Sequence, residues 1–505
     1  MGKVTTIILL LFFALFFIVL MERVNPARDI VSRGDSHLCK DCNVILVTLT
    51  NLRYAHLSQN GYFRPTSPNL DALAKESIVF DNAFSHSSWT LPEAMSLYTS
   101  LYPFQHKVMD RYLGSTLAKD IPTLVDVLNA NGYKTAAFTG GFDYNPAFGL
   151  MDRFSEHQEC QEGPVQVDDY GKLTCVIPKA LDWIKNNPAR KFFVHIQGFD
   201  AHCPFSGASG AMYDKDYKGT VDYSRCLWTF DRTEPQTIDG KMYYPVYSPI
   251  TEGKMSVLLG EEDINHLVAL YDESITLSDA LIGSFLEEVE SMGLNNNTII
   301  IFTSEHGDMF GKHGRFMRGG PLRGTFYDDV LHIPLFIKHP KVSPTRLDGL
   351  VEQIDIAPTL LDFLSLPKEP FFYGESIVPL ITEGKEIHEY IFGGSEYHPQ
   401  ADNPYFTEST RVEAVRSKKF KLIKETLLGQ NNSSPMVELY DMINDKGELR
   451  NLSATIPGQQ TKFKKFFEKF GFNPIFLSEE EKILNDLESR LSIWSQNLRS
   501  EKVQY

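Results

Sequence analysis

Positive charge is in short supply: 49 lysines and arginines stand against 65 acidic residues, for a net charge of −16. That balance excludes a general polyanion-binding surface, and nucleic acid as a partner, while leaving room for an anionic group in a local pocket. Long apolar runs are scarce too, with a single one near the N-terminus and none downstream. There is no internal repeat and no low-complexity tract. After CKDC at 39–42 no second Cys/His pair follows at finger-like spacing, which makes a zinc site the weaker reading of that motif.

The rest of the composition, 42% hydrophobic and 23% charged over 505 residues, is that of a globular chain with one large domain and a smaller appendage. The single apolar run, VTTIILLLFFALFFIVLM, spans 4–21. As a helix it reaches roughly 27 Å, enough for a bilayer core. It is expected to be a transmembrane signal anchor, with 22–42 as linker and the body exported. A cleaved signal peptide is the rival reading, although no small-x-small site follows the run. Six cysteines fit an oxidising compartment. Three local disulfides are expected: Cys39–Cys42, Cys160–Cys175 and Cys203–Cys226.

NVILVTL (43–49) is a continuous apolar run and reads as a buried strand. SPNLDALAKES (67–77) carries helix start signals, and IVFDNAF (78–84) returns to a strand. IPTLVDVLNANG (121–132) is a helix stopped by glycine; YKTAAFTGG (133–141) and KFFVHIQGFDAH (191–202) are strands. A helix over about 262–291, strands NTIIIFTSEHG (297–307) and LHIPLFIKH (331–339), and the helix-like DIAPTLLDFLSL (355–366) complete the series. This alternation predicts an α/β domain over 43–385 with a large, mainly parallel sheet flanked by helices. From about 386 the pattern changes to EYIFGG, RVEAVRS, KFKLIK and VELYD, which predicts a C-terminal subdomain (386–505) with a small antiparallel sheet. In such folds ligands gather beyond the carboxyl ends of the strands. The polar clusters Thr50-Asn51, Asp200 with His202, and Glu305-His306 fall there.

SHSSWTLPEAMSLYTSLYP (85–103) raises a separate question. A polar run ends at Trp89-Thr90 and Pro92 suits a first helical turn. Thr90 is then either a nucleophile at a helix N-terminus, where free N–H groups favour an anion, or a capping hydroxyl.

These segments carry a family likeness. Residues 43–103 closely resemble the N-terminal core of the sulfatases, in the alkaline phosphatase superfamily. NTIIIFTSEHGDMFGKHGR and RGTFYDDVLHIPLFIKHP resemble its late metal-binding segment. GFDAHCPF resembles its histidine-bearing strand end, and AVRSKKFKLI with ELYDMINDKGELRNL its C-terminal subdomain. The likeness implies hydrolysis of sulfuric esters, a divalent cation, and a formylglycine made from Cys or Ser in a C/S-x-P-x-R context.

The departures from that pattern set the expectations for the site. The metal-binding acidic pair falls on Thr50 and Asn51, and the late pair on Glu305 and His306. The nucleophile position is Thr90, and Ala94 replaces the arginine of the modification motif, so no formylglycine is expected. His202 matches the histidine near the leaving oxygen, Arg323 a lysine that contacts the ester anion. The family's further Lys/His pair is not evident in TGGFDYNPAFG. Hard oxygen donors favour Ca²⁺ or Mg²⁺, and His306 leaves Mn²⁺ or Zn²⁺ open, but one carboxylate holds any of them poorly unless Asp308 or Asp200 compensates. The expected function is impaired or non-catalytic binding of a sulfated or phosphorylated ligand. The alternative is a metal-dependent phosphoester or sulfoester hydrolase, or phosphotransferase, with Thr90 as nucleophile.

Overall fold

The computed structural model describes residues 37–111, 115–160, 171–187, 191–205, 207–219, 221, 236–247, 256–316, 318, 324–398, 408–430, 434–455 and 478–500. In chain order the strands begin β1 (Asn43–Leu49), β2 (Ile78–Phe84), β3 (Lys134–Thr139), β4 (Glu156–Glu159) and β5 (Phe192–Gly198). A three-stranded antiparallel meander follows: β6 (Gln236–Ile238), β7 (Lys241–Tyr247) and β8 (Ser256–Leu259). Next come β9 (Thr298–Thr303), β10 (His332–Lys338) and β11 (Thr345–Glu352), then β12 (Ile391–Tyr397), β13 (Thr410–Arg416), β14 (Phe420–Leu427) and β15 (Met436–Asp441).

The large sheet has eight strands in the order β11-β2-β10-β9-β1-β5-β3-β4. All its pairings are parallel except those of β10, which runs against both β2 and β9. β1 lies between β9 and β5, and its side chains alternate between two cores. Val44 and Leu46 pack on one side, Ile45, Val47 and Leu49 on the other. Burial on both faces is why its sequence is apolar throughout instead of alternating.

The first core receives the helices Thr90–Thr99, Leu124–Ala130 and Ile356–Phe363. The second receives Pro68–Lys75, Leu173–Lys185 and the long Glu261–Ser291. The helix Thr90–Thr99 is buried along its whole length. Trp89 is the extended N-cap and Thr90 the first helical residue, which places Pro92 in the first turn.

Strands β12 to β15 form the expected second, antiparallel sheet. The helix Glu479–Ser500 covers it with Leu487, Leu491, Trp494 and Leu498, a heptad-like stripe on one helical face.

Disulfides join Cys39 to Cys42 and Cys160 to Cys175. Cys203 is also disulfide-bonded, while Cys226 lies outside the described residues. The run 4–21, on which the membrane helix rests, lies outside them as well. Among the described residues no helix is long and apolar enough to cross a membrane.

Candidate active site

Four strands of the large sheet, β1, β3, β5 and β9, deliver their carboxyl ends to one place. β1 ends at Leu49, and the backbone N–H of Thr50 still bonds Gly198 at the end of β5 (2.9 Å). Thr50 Oγ1 accepts from Gln197 Nε2 at 2.7 Å. Asn51 turns the chain with φ at +70°, a left-handed conformation that asparagine tolerates better than most residues. Its amide Nδ2 donates to Asp308 Oδ2 at 2.8 Å.

β9 ends at Thr303 and leads into Ser304-Glu305-His306-Gly307-Asp308, all buried. Gly307 is required here, because a Cβ at that position would lie 2.2 Å from the Asp329 carbonyl oxygen. Glu305 Oε1 accepts from Thr48 Oγ1 (3.0 Å) and from the Tyr144 hydroxyl (2.7 Å). Tyr144 arrives on the turn after β3, the stretch where the family's Lys/His pair was sought. Burial pushes the Glu305 carboxyl above its usual range, and these two donors oppose that shift.

The Thr90 hydroxyl lies 3.1 Å from His306 Nε2. His306 Nδ1 donates to the Gly307 carbonyl at 2.8 Å, so Nε2 carries the lone pair and accepts from Thr90. Thr90 makes no capping hydrogen bond. The capping alternative is therefore set aside by the helix register: the hydroxyl belongs to the first helical residue and is spent on His306.

His202 follows β5, stacked on Phe199 with ring centroids 4.1 Å apart. Its Nδ1 donates to the Cys203 carbonyl, and its Nε2 accepts from Arg318 Nη2 at 2.7 Å. Burial first, then the Arg318 charge, pushes both His202 and His306 well below the usual imidazole range, so both are neutral. Asp200 serves elsewhere. Its Oδ2 accepts from Leu173 N at 2.9 Å, at the head of the helix Leu173–Lys185, and burial pushes it up to about 6.

The site thus brings together Thr50, Asn51, Thr90, His202, Glu305 and His306, with Asp308 added. Arg323 lies outside the described residues. Sequence reasoning missed Thr48, Tyr144 and Arg318. Thr48 had a usable signal, since it sits two residues before Thr50 on the same face of β1. Arg318 had none, because RGGPLRG offers two arginines and spacing to TFYDD favours the later one.

These donors fit a divalent cation badly. Thr50 and Asn51 are neutral, and Glu305 Oε1 is already taken by two hydroxyls. Asp308 Oδ2 takes the Asn51 amide and lies 3.8 Å from Arg318 Nη1. A guanidinium therefore already stands against the carboxylate that would compensate for the missing pair. Among the described residues, one group of three ligand-type side chains has its ligand atoms within 4.8 Å of one another: Glu352, Asp355 and His388. None of these is an expected ligand. The Glu352 carboxylate accepts from the Tyr102 hydroxyl and from Phe392 N, and Asp355 from Glu352 N, Glu375 N and His388.

A family model described as Sulfatase matches residues 42–366, and one described as N-sulphoglucosamine sulphohydrolase, C-terminal, matches residues 311–469. Arylsulfatase K of Xenopus laevis is 23% identical over 435 residues, 80% of this chain and 77% of that protein. The delta 4,5-hexuronate-2-O-sulfatase of Bacteroides thetaiotaomicron is 22% identical over 424 residues, 81% of this chain and 84% of its own. Among solved structures, a 2-O GAG sulfatase has a TM-score of 0.63 at 19% identity, covering 91% of this chain and 96% of that one. The phosphonate monoester hydrolase of Agrobacterium radiobacter has a TM-score of 0.62 at 20% identity, covering 85% and 94%. These structural likenesses speak to the fold. The first family model takes in well over half of the chain, from the start of β1 to the end of the helix Ile356–Phe363. The chain belongs to the sulfatase family, within the alkaline phosphatase superfamily.

Proposed function

We propose that this protein is an exported, membrane-anchored member of its family that binds a sulfated or phosphorylated ligand at Thr90, with sulfuric ester hydrolysis impaired. The observation that carries the reading is the state of His202. The histidine expected beside the leaving oxygen presents an Nε2 without a proton, already accepting from Arg318. It has no proton there to give a departing alkoxide. Thr90 lacks the second hydroxyl through which a formylglycine diol expels sulfate, and its base is an imidazole that burial makes weak. Recognition asks less: a helix N-terminus, a hydroxyl and a guanidinium suffice for an anion.

The relatives named for arylsulfatase and hexuronate-2-O-sulfatase activity support a sulfated glycan or aryl sulfate as the ligand class. The disulfides and the apolar run at 4–21 support an exported body held by a membrane anchor. A fusion reporter at residue 300 tests the topology, and a cytoplasmic readout would overturn it. For the site, purified ectodomain is titrated with p-nitrophenyl sulfate and then assayed for release of p-nitrophenol. Saturable binding without appreciable turnover is expected.

The Thr90–His306 hydrogen bond favours a second reading, slow hydrolysis with Thr90 as nucleophile and His306 as base. Turnover abolished by Thr90→Ala, with binding retained, would establish it and refute the non-catalytic reading.

A further inference from the structure

The site contains four buried polar atoms with no hydrogen-bond partner among the described residues: Asn51 Oδ1, Glu305 Oε2, and Arg318 Nε and Nη1. Such atoms are uncommon in folded interiors, and each one left unpaired costs stability. Two of them belong to a single guanidinium that is only 5% exposed. Arg318 is bound to the site on one edge, through Nη2 to His202, and ion-paired at 3.8 Å to Asp308 through Nη1. Its field reaches Glu305 and His306 as well. Arg318 therefore stands among the residues that would hold a metal, with donor capacity to spare.

We propose that the Arg318 guanidinium is the resident cation of this site, so that an anionic ester binds here without any divalent metal. The proposal rests on the anion-binding reading above and concerns the source of its positive charge. The substitutions are consistent with one another in charge. With Thr50 and Asn51 neutral, Glu305 and Asp308 supply two negative charges and Arg318 already offsets one of them, so only one is left to meet a divalent ion. Guanidinium also presents its donors in a planar fork that matches two oxygens of a sulfate or phosphate group, which a bare ion does not. Asp143 neutralises the neighbouring Arg111 through a bidentate pair, so the two arginines share the region without an uncompensated excess of charge.

The test is calorimetric titration of the purified full-length protein with inorganic sulfate and with p-nitrophenyl sulfate, in EDTA and again with Ca²⁺ or Mg²⁺. The expected result is the same dissociation constant, within about twofold, in all conditions. Arg318→Gln should weaken binding by at least about tenfold, the loss expected for a charged donor. Arg318→Lys, which keeps the charge, should bind with intermediate affinity, remain insensitive to EDTA, and serve where the glutamine variant fails to fold. Binding that requires the metal, or a folded Arg318→Gln that binds like wild type, overturns the proposal while leaving the anion-binding reading intact. No binding under any condition overturns that reading, and this proposal with it.

Discussion

The Tyr144 hydroxyl donates to Glu305 Oε1 at 2.7 Å, joining the turn after β3 to the end of β9 across two intervening strands. Glu305 is fully buried, and this donor is one of the few features that keep its charged form affordable. Tyr144→Phe should therefore destabilise the protein by about 1–3 kcal/mol, the usual penalty for stripping a partner from a buried polar group. Urea denaturation of the two proteins at neutral pH measures it.

Thr90→Ala leaves His306 Nε2 buried without its donor, whereas Thr90→Ser keeps a hydroxyl in place. The alanine variant should lose about 1–2 kcal/mol and the serine variant clearly less. Thermal unfolding of both, beside wild type, checks the order. Equal losses would mean that the methyl group, and not the hydrogen bond, holds the residue.

Thr50→Asp combined with Asn51→Asp restores the family's acidic pair beside Glu305. Calcium affinity should rise by about tenfold or more, since the number of charged oxygens largely sets it. The gain should be greater when Arg318→Gln removes the competing cation. Calorimetric titration with Ca²⁺ on the double and triple variants reads both effects.

His388 offers a pH handle away from the site. Burial alone would lower its imidazole, but the hydrogen bond to Asp355, with the charges of Asp355 and Glu352, pushes it up to about 9. A folded value above the unfolded value of about 6.5 means the stabilisation is complete below pH 6.5 and lost as the pH rises through about 9. Wild type should therefore exceed His388→Gln by at most about 3 kcal/mol at pH 6, with the gap closing by pH 10. Melting temperatures of both proteins across that range provide the measurement.

The strands at the centre of the sheet were the legible ones. NVILVTL and IVFDNAF are strands over the very residues read from the sequence, the first because burial on both faces makes it apolar throughout, the second because apolar residues flank its half-buried Asp81-Asn82 on both sides. The two edge strands escaped notice. In β4, EHQE has no apolar residue at all, and in β11, TRLDGLVE is half-exposed over its first four positions, so neither shows a strand period. At the site, residues on strand ends were recoverable from family motifs. Tyr144 and Arg318 sit on turns and loops whose paths depend on the whole fold, and nothing local marks them.

The helix Thr90–Thr99 has no solvent face, so neither its axis nor its first turn can shift without disturbing the packing around it. The position of Thr90 is held by the core, through Leu91, Ala94, Met95 and Tyr98, and not by any chemistry performed there. Replacing the side chains at the nucleophile, the metal ligands or the counter-charge leaves those apolar contacts untouched, so the place where an ester would sit does not depend on the chemistry around it.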